Sequence, residues 1–157
     1  MFLTQLITAI IGTLGISLIF RVRPRYLAVV SLIGGVCQAI YWMILEYLKM
    51  DSFIAALAAT VAVAAISEIL ARIARSPAIV FLLAGVIPIV PGSFLYRMMK
   101  EFIQKDVSRA FYYGSEAVKI SLGVAGGIVV VSVIVSIVIG VGDKIRKRLN
   151  RESDGEE

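Results

Sequence analysis

The chain has 157 residues, of which 59% are hydrophobic and 17% charged, and its mean hydropathy is +0.92. This composition is typical of an integral membrane protein. Sixteen basic and eleven acidic residues give a formal net charge of +5, but the charges stand in short clusters between apolar runs. Such clusters indicate membrane topology and argue against a nucleic-acid partner.

Several kinds of catalytic chemistry are excluded by residues that the sequence lacks. Histidine is absent, so the commonest metal ligand and the commonest general base are missing, and Cys37, as the single cysteine, cannot form an internal disulfide. The sequence also contains no Gly-x-Ser-x-Gly motif and no pair of aspartates deep in an apolar run. We therefore predict no enzymatic activity, no metal site and no cofactor.

Five apolar runs approach the roughly 20 residues that a helix needs to cross the hydrocarbon core. No basic residue precedes the first run, and three arginines follow it, which indicates a retained helix with its N-terminus outside rather than a signal peptide. The predicted fold is an all-α integral membrane protein, with a five-span domain over 1–142 and a charged cytoplasmic tail over 143–157. The predicted spans cover residues 2–20, 26–48, 52–73, 78–96 and 115–141.

The basic residues orient these spans. Alternating crossings from an outside N-terminus place the Arg21–Arg25 turn, the Arg72–Arg75 turn and the Lys144–Arg151 tail in the cytoplasm, so ten of the sixteen basic residues lie inside. The segment after span four, which holds Arg97, Lys100, Lys105 and Arg109, lies outside and departs from this rule.

Small residues follow one side of spans three and five, and small residues let helices approach closely within a bilayer. We expect both spans to pack against protein, either within this chain or in another subunit. The small residues are Ala55, Ala58, Ala59, Ala62 and Ala65 in span three, and Gly123, Gly127, Ser132, Ser136 and Gly140 in span five.

Charged and polar residues inside the spans are candidates for function, because a charge at a helix centre costs on the order of 3 kcal/mol. Glu68 can pair with Arg72 one turn later, and Glu116 can pair with Lys119. Each glutamate is therefore either half of a structural ion pair or a proton relay. Gln38 and Thr60 are neutral, and they either contact a polar solute or form hydrogen bonds between helices.

The stretch IPIVPGS interrupts span four, because Pro88 and Pro91 lack the amide donor that a continuing helix needs. Within a bilayer, non-helical backbone is tolerated only where it is buried in protein or lines a water-filled cavity. Transporters use such broken helices to bind solutes. The stretch from Pro88 through Gly92 and Ser93 therefore either lines a solute path or simply ends the span at the outer surface.

The segment 97–114 follows this break and separates apolar from polar residues at helical spacing. We predict an amphipathic helix in the membrane interface, anchored by Tyr112 and Tyr113, with a plain linker helix as the alternative. Arg97 is either a ligand for a substrate carboxylate or an ordinary interfacial arginine.

Span four and its continuation, SPAIVFLLAGVIPIVPGSFLYRMM, resemble the proline-glycine region of the small, five-span subunit of the bacterial threonine/serine exporter family. The matching positions are Pro88, Pro91, Gly92 and Glu116. The chain length, the span count and the short basic tail agree, so the resemblance covers nearly the whole chain.

The resemblance implies a function and a location. The small subunit is similar to the C-terminal half of longer fused exporters and works with a larger five-span partner. The chain is then expected to export small hydroxy amino acids by proton-coupled antiport across the bacterial cytoplasmic membrane. Export of a dicarboxylate such as succinate is the alternative within the family, and self-association or a non-transporting scaffold is the alternative outside it.

Overall fold

The computed structural model describes residues 2–153, and it describes side chains from residue 3 to residue 138. All the regular structure in this part of the chain is helical, which confirms the predicted all-α class. The elements are α1 (Phe2–Ile19), α2 (Pro24–Glu46), α3 (Ser52–Ala74), α4 (Ala78–Val86), a 3-10 turn (Ile87–Ile89), α5 (Gly92–Ile103) and α6 (Val107–Ser153).

Three of these helices are long and apolar enough to cross a membrane: α2, α3 and the Val107–Val138 part of α6. The pair Ala78–Ile89 and Gly92–Ile103 passes the same test only when taken together, and it is bent by 46°. The apolar part of α1, Leu3–Ile19, is about 26 Å long, less than the roughly 30 Å of a hydrocarbon core. By length and composition the described residues contain three or four candidate spans, and the five-span arrangement stays a prediction.

The prediction of a single amphipathic helix over 97–114 is wrong. The chain turns at Gln104–Asp106, where Lys105 takes a left-handed φ of 62°. The Asp106 carboxylate accepts a hydrogen bond from the Arg109 amide at 3.1 Å, which caps the start of α6. The amphipathic helix is α5, and the last predicted span is part of a helix that begins eight residues earlier, at Val107.

The predicted tail over 143–157 lies mostly in the part of α6 whose side chains are not described. The α6 backbone continues to Ser153, and residues 154–157 lie outside the described residues. A helix of this length is about 70 Å long. It therefore extends well past the thickness of a bilayer.

Glycines of α6 bring it against α3. A Cβ on Gly123 would lie 2.9 Å from the Ala56 Cβ, and one on Gly127 would lie 2.7 Å from the Thr60 Cβ. Since Ala56 and Thr60 are fully buried, the two backbones pack directly on each other in the way that small residues permit. Helix α3 thus packs against protein within this chain, but through Ala56 and Thr60 and not through the predicted alanine face, of which Ala65 is exposed.

The register of these contacts shows that α3 and α6 run in the same direction. Glu116 meets Ser52, Gly123 meets Phe53 and Ala56, and Gly127 meets Leu57 and Thr60. The first three turns of α6 therefore extend beyond the start of α3. Helix α5 packs along this extension, where Met98 lies beside Gly114.

The remaining helices complete the bundle on the other side of α3. Helix α4 approaches α2 and α3 through Gly85, where a Cβ would lie 2.9 Å from both Ile33 and Val63. Helix α1 packs on α2, with Thr13 directly against Gly34. One apolar core, which includes Ile33, Val63 and Ile89, joins α2, α3, α4 and α6.

We predict that Gly127→Ala destabilises the bundle although alanine is the better helix former. The added methyl would overlap Thr60, and such overpacking costs on the order of 1–3 kcal/mol. Gly126→Ala is the matched control, because its Cβ would lie 3.6 Å from Leu57, an ordinary contact, and the helix gains about 1 kcal/mol in propensity. Thermal unfolding of both variants in detergent tests this, and equal midpoints would contradict the packing described here.

Candidate functional site

A cleft of about 280 Å³ lies between α1, α2 and the 3-10 turn. Its walls are residues 5–13 of α1, the middle of α2, and the point after α4 where the chain departs from regular α-helix. Its lining residues are Gln5, Thr8, Ala9, Gly12, Thr13, Gln38, Ile87 and Pro88. Half of these side chains carry a polar group, and none of them is charged.

The polar side chains of the cleft differ in whether they already form hydrogen bonds within the chain. The hydroxyls of Thr8 and Thr13 donate to the carbonyls of Thr4 and Ala9, each at 2.7 Å. The amides of Gln5 and Gln38, by contrast, form no hydrogen bond with any described residue. Because an amide offers both donors and an acceptor, these two side chains are free to bind a polar solute.

The wall opposite α1 is the proline break. Pro88 lines the cleft, and because it has no N–H it cannot donate to the carbonyl of Ala84 as a helical residue would. The chain then tightens, with the Val90 amide donating to Ile87 at 3.1 Å and the Gly92 amide donating to Val90 at 2.7 Å. The break thus places irregular backbone beside the polar side chains of α1 and α2.

Only two of the sequence candidates for the solute path, Gln38 and Pro88, meet in this cleft. Pro91 is buried next to the cleft wall, and Gly92 and Ser93 lie exposed outside it. Arg97 lies in α5, with its guanidinium 5.8 Å from the centre of the Tyr113 ring.

Thr60, the remaining candidate, is fully buried between α3 and α6, against the Gly127 backbone. Its hydroxyl has no hydrogen-bond partner among the described residues, and the same holds for the buried Ser67 hydroxyl two turns further along α3. Thr60 therefore packs the helix interface and does not reach the cleft.

The residues that sequence reasoning missed are those with which α1 lines the cleft. Gln5, Thr8 and Gly12 are spaced by three and four residues, so they share one helix face. Within a run that is otherwise apolar, this spacing was a usable signal for a polar lining.

The two glutamates named from the sequence have different environments. The Glu116 side chain is 12% exposed, accepts a hydrogen bond from Ser52 at 2.7 Å and pairs with Lys119 at 2.9 Å. Lys119 also reaches Asp51 at 3.2 Å. These four residues, which we call the α3–α6 polar cluster, join the start of α3 to α6, and Tyr41 of α2 faces them.

The expected pairing of Glu68 with Arg72 is not formed. Glu68 is partly exposed near the other end of α3, and the ion pairs of the described residues do not include it. Between residues 3 and 138, no three acidic or cysteine side chains come together in a group that could hold a metal ion.

Comparison with known proteins identifies the family. Residues 5–134 match the family described as Threonine/Serine exporter, ThrE, and this range includes the cleft, the proline break and the α3–α6 polar cluster. Searches of curated proteins and of solved structures return no significant match. With most of its length matched and with helices apolar enough to cross a membrane, the chain belongs to the threonine/serine exporter family of membrane transporters.

Proposed function

We propose that the chain is a subunit of an exporter of threonine and serine and that the cleft between α1, α2 and the proline break is its part of the solute path. The observation that carries this proposal is the meeting of unpaired amides with irregular backbone in a cleft of an apolar bundle. Such backbone is tolerated at membrane depth where it faces a cavity. Broken helices of this kind bind solutes in other transporters.

The chemistry of the cleft favours a hydroxy amino acid over a dicarboxylate. A volume of about 280 Å³ lies at the lower limit of typical ligand pockets and suits a small solute. Threonine and serine are zwitterions with no net charge, and their hydroxyl group can bond to Gln5 or Gln38. A dicarboxylate carries two negative charges, which are costly to bury without cations, and the cleft supplies none.

The cleft is open toward the outside of the bundle, which supports the proposal of a partner. Gln5 and Thr8 are exposed, and exposed polar side chains are unfavourable where lipid is the surrounding medium. A larger five-span subunit of the same family would cover them and complete the path. A second copy of this chain is the alternative partner.

The proposed setting is the bacterial cytoplasmic membrane, with five crossings and an outside N-terminus. The directions of the helices support this topology, because α1, α3 and α6 run one way while α2 and the α4–α5 pair run the other. Arg21 and Arg75 then lie on the cytoplasmic side, as the positive-inside rule requires.

We assign proton coupling to Glu116 in preference to Glu68. Tyr41 lies one turn from Gln38 on α2 and faces Ser52 and Glu116, so the α3–α6 polar cluster lies at the level of the cleft. Protonation of Glu116 would remove its attraction to Lys119 and loosen the contact between α3 and α6. Glu68 is more than four turns beyond Ser52 along α3, and no ion pair of the described residues includes it.

Gln38→Leu is expected to reduce threonine efflux by about two- to tenfold, since a lost hydrogen bond to a neutral hydroxyl corresponds to about 0.5–1.5 kcal/mol. Efflux is measured from cells preloaded with a threonine-containing dipeptide and expressing this chain together with the larger subunit. Ser93→Ala is the control, because Ser93 lies outside the cleft, and it should export normally.

Each subunit expressed alone should give no efflux. Equal export by Gln38→Leu and Ser93→Ala would contradict the proposal that the cleft is part of the solute path. Succinate efflux in place of threonine efflux would shift the function to dicarboxylates. No flux of either solute with both proteins present in the membrane would favour a scaffold.

Glu116→Gln is expected to make efflux insensitive to the pH gradient, because the amide still bonds to Ser52 but cannot carry a proton. Glu68→Gln should leave the response to the gradient intact. Both are measured as threonine efflux at a series of external pH values with matched protein abundance. A Glu116→Gln variant that still responds to the gradient would contradict the assignment.

A further inference from the structure

Five arginines gather at the end of the bundle where α1 and α3 finish. Together they form what we call the arginine end: Arg21, Arg23, Arg25, Arg72 and Arg75. They belong to two turns that are nearly 50 residues apart in the sequence. Every basic residue in these turns is an arginine, although lysines supply six of the sixteen basic residues of the chain.

A buried valine holds the two turns side by side. Val22 is only 6% exposed and packs in an apolar cluster with Ala71, Ala74 and Phe81. It therefore fixes the turn between α1 and α2 against the end of α3 and the start of α4. The arginines on either side of Val22 are thereby placed next to those of the α3–α4 turn.

The charges of the arginine end are unneutralised in the described part of the chain. All five arginines are exposed, and none of them takes part in an ion pair there. The carboxylate that stands nearest in sequence, Glu68, does not pair with Arg72. Arg21 and Arg75 also hold left-handed backbone, with φ values of 52° and 48°, a conformation that is unfavourable for a residue with a side chain.

We propose that the arginine end is a binding site for phosphate groups and that its ligand is the headgroup of an anionic phospholipid. A guanidinium matches the geometry of phosphate with two parallel hydrogen bonds, which an ammonium cannot form. Basic pockets between the ends of membrane helices bind anionic headgroups in this way. The site is independent of the proposed transport function.

The location argues for lipid rather than for free phosphate. The arginines stand where apolar helices end, at the depth at which lipid phosphates lie. Tyr26 is half-buried in the first turns of α2, with its ring edge-on to Phe81 at 6.0 Å between centroids. Aromatic rings in this position are typical of the membrane interface.

The test uses the full-length protein in a mild, uncharged detergent, with lipid binding followed by native mass spectrometry. Cardiolipin and phosphatidylglycerol are expected to bind in preference to phosphatidylcholine. Arg23→Gln with Arg72→Gln, one change from each turn, should weaken binding of the anionic lipids by roughly tenfold or more. Lys100→Gln with Lys105→Gln removes the same charge at the other end of the bundle and should have little effect.

Three results would overturn the proposal: equal binding of phosphatidylcholine, equal weakening by the two double variants, or displacement of the lipid by millimolar inorganic phosphate, which would identify a free-phosphate site. Size-exclusion profiles check that the variants remain folded. Should the glutamine variant fail this check, Arg23→Lys with Arg72→Lys keeps both charges and should still weaken binding. Unchanged affinity in the lysine variant would then contradict recognition by guanidinium groups.

Discussion

The close approach of α3 and α6 determines the positions of several other elements of the bundle. Two backbones meet where Gly123 and Gly127 face Ala56 and Thr60, and a contact of this kind has one register, because a shift along the axis would place larger side chains between the helices. That register brings Glu116 to Ser52 and carries the first turns of α6 past the start of α3. It thereby determines where α5 packs, and α5 in turn sets the direction in which the chain leaves the proline break.

A second constraint, the need to satisfy backbone polar groups, explains why the cleft lies where it does. Pro88 and Pro91 remove two donors from a chain that sits among apolar helices. The local turn between Ile87 and Val90 recovers part of the lost bonding. Ile87 and Pro88 line the same cleft as Gln38 of α2 and the polar residues of α1. The break and the polar residues therefore belong to one arrangement, although they come from three separate segments.

Much of the fold could be read from the sequence, because apolar runs bounded by charged turns define helices whatever their neighbours are. The bounds of α2 differ from the predicted span by two residues at each end, and those of α3 by one residue at its end. The split at Lys105 was missed, since the apolar periodicity continues across it and only the capping role of Asp106 marks the new helix. In the site, Gln38 and Pro88 were identified because each is unusual in an apolar run. The sequence left the role of Thr60 open between a solute contact and an interhelical one, because helix pattern alone does not show which neighbour a polar residue faces.

The residues proposed to bind the solute are distinct from the charged residues of the bundle. The α3–α6 polar cluster lies beside the cleft and the arginine end lies at one end of the bundle, while the cleft itself is lined by neutral residues. A solute with a carboxylate would find hydrogen-bond donors in the cleft but no cation among the residues that line it. Any charge that stabilises such a carboxylate must then come from whatever covers the open side of α1. In the arrangement proposed here, this chain would select for small size and a hydroxyl group, and the assembled complex would select for charge.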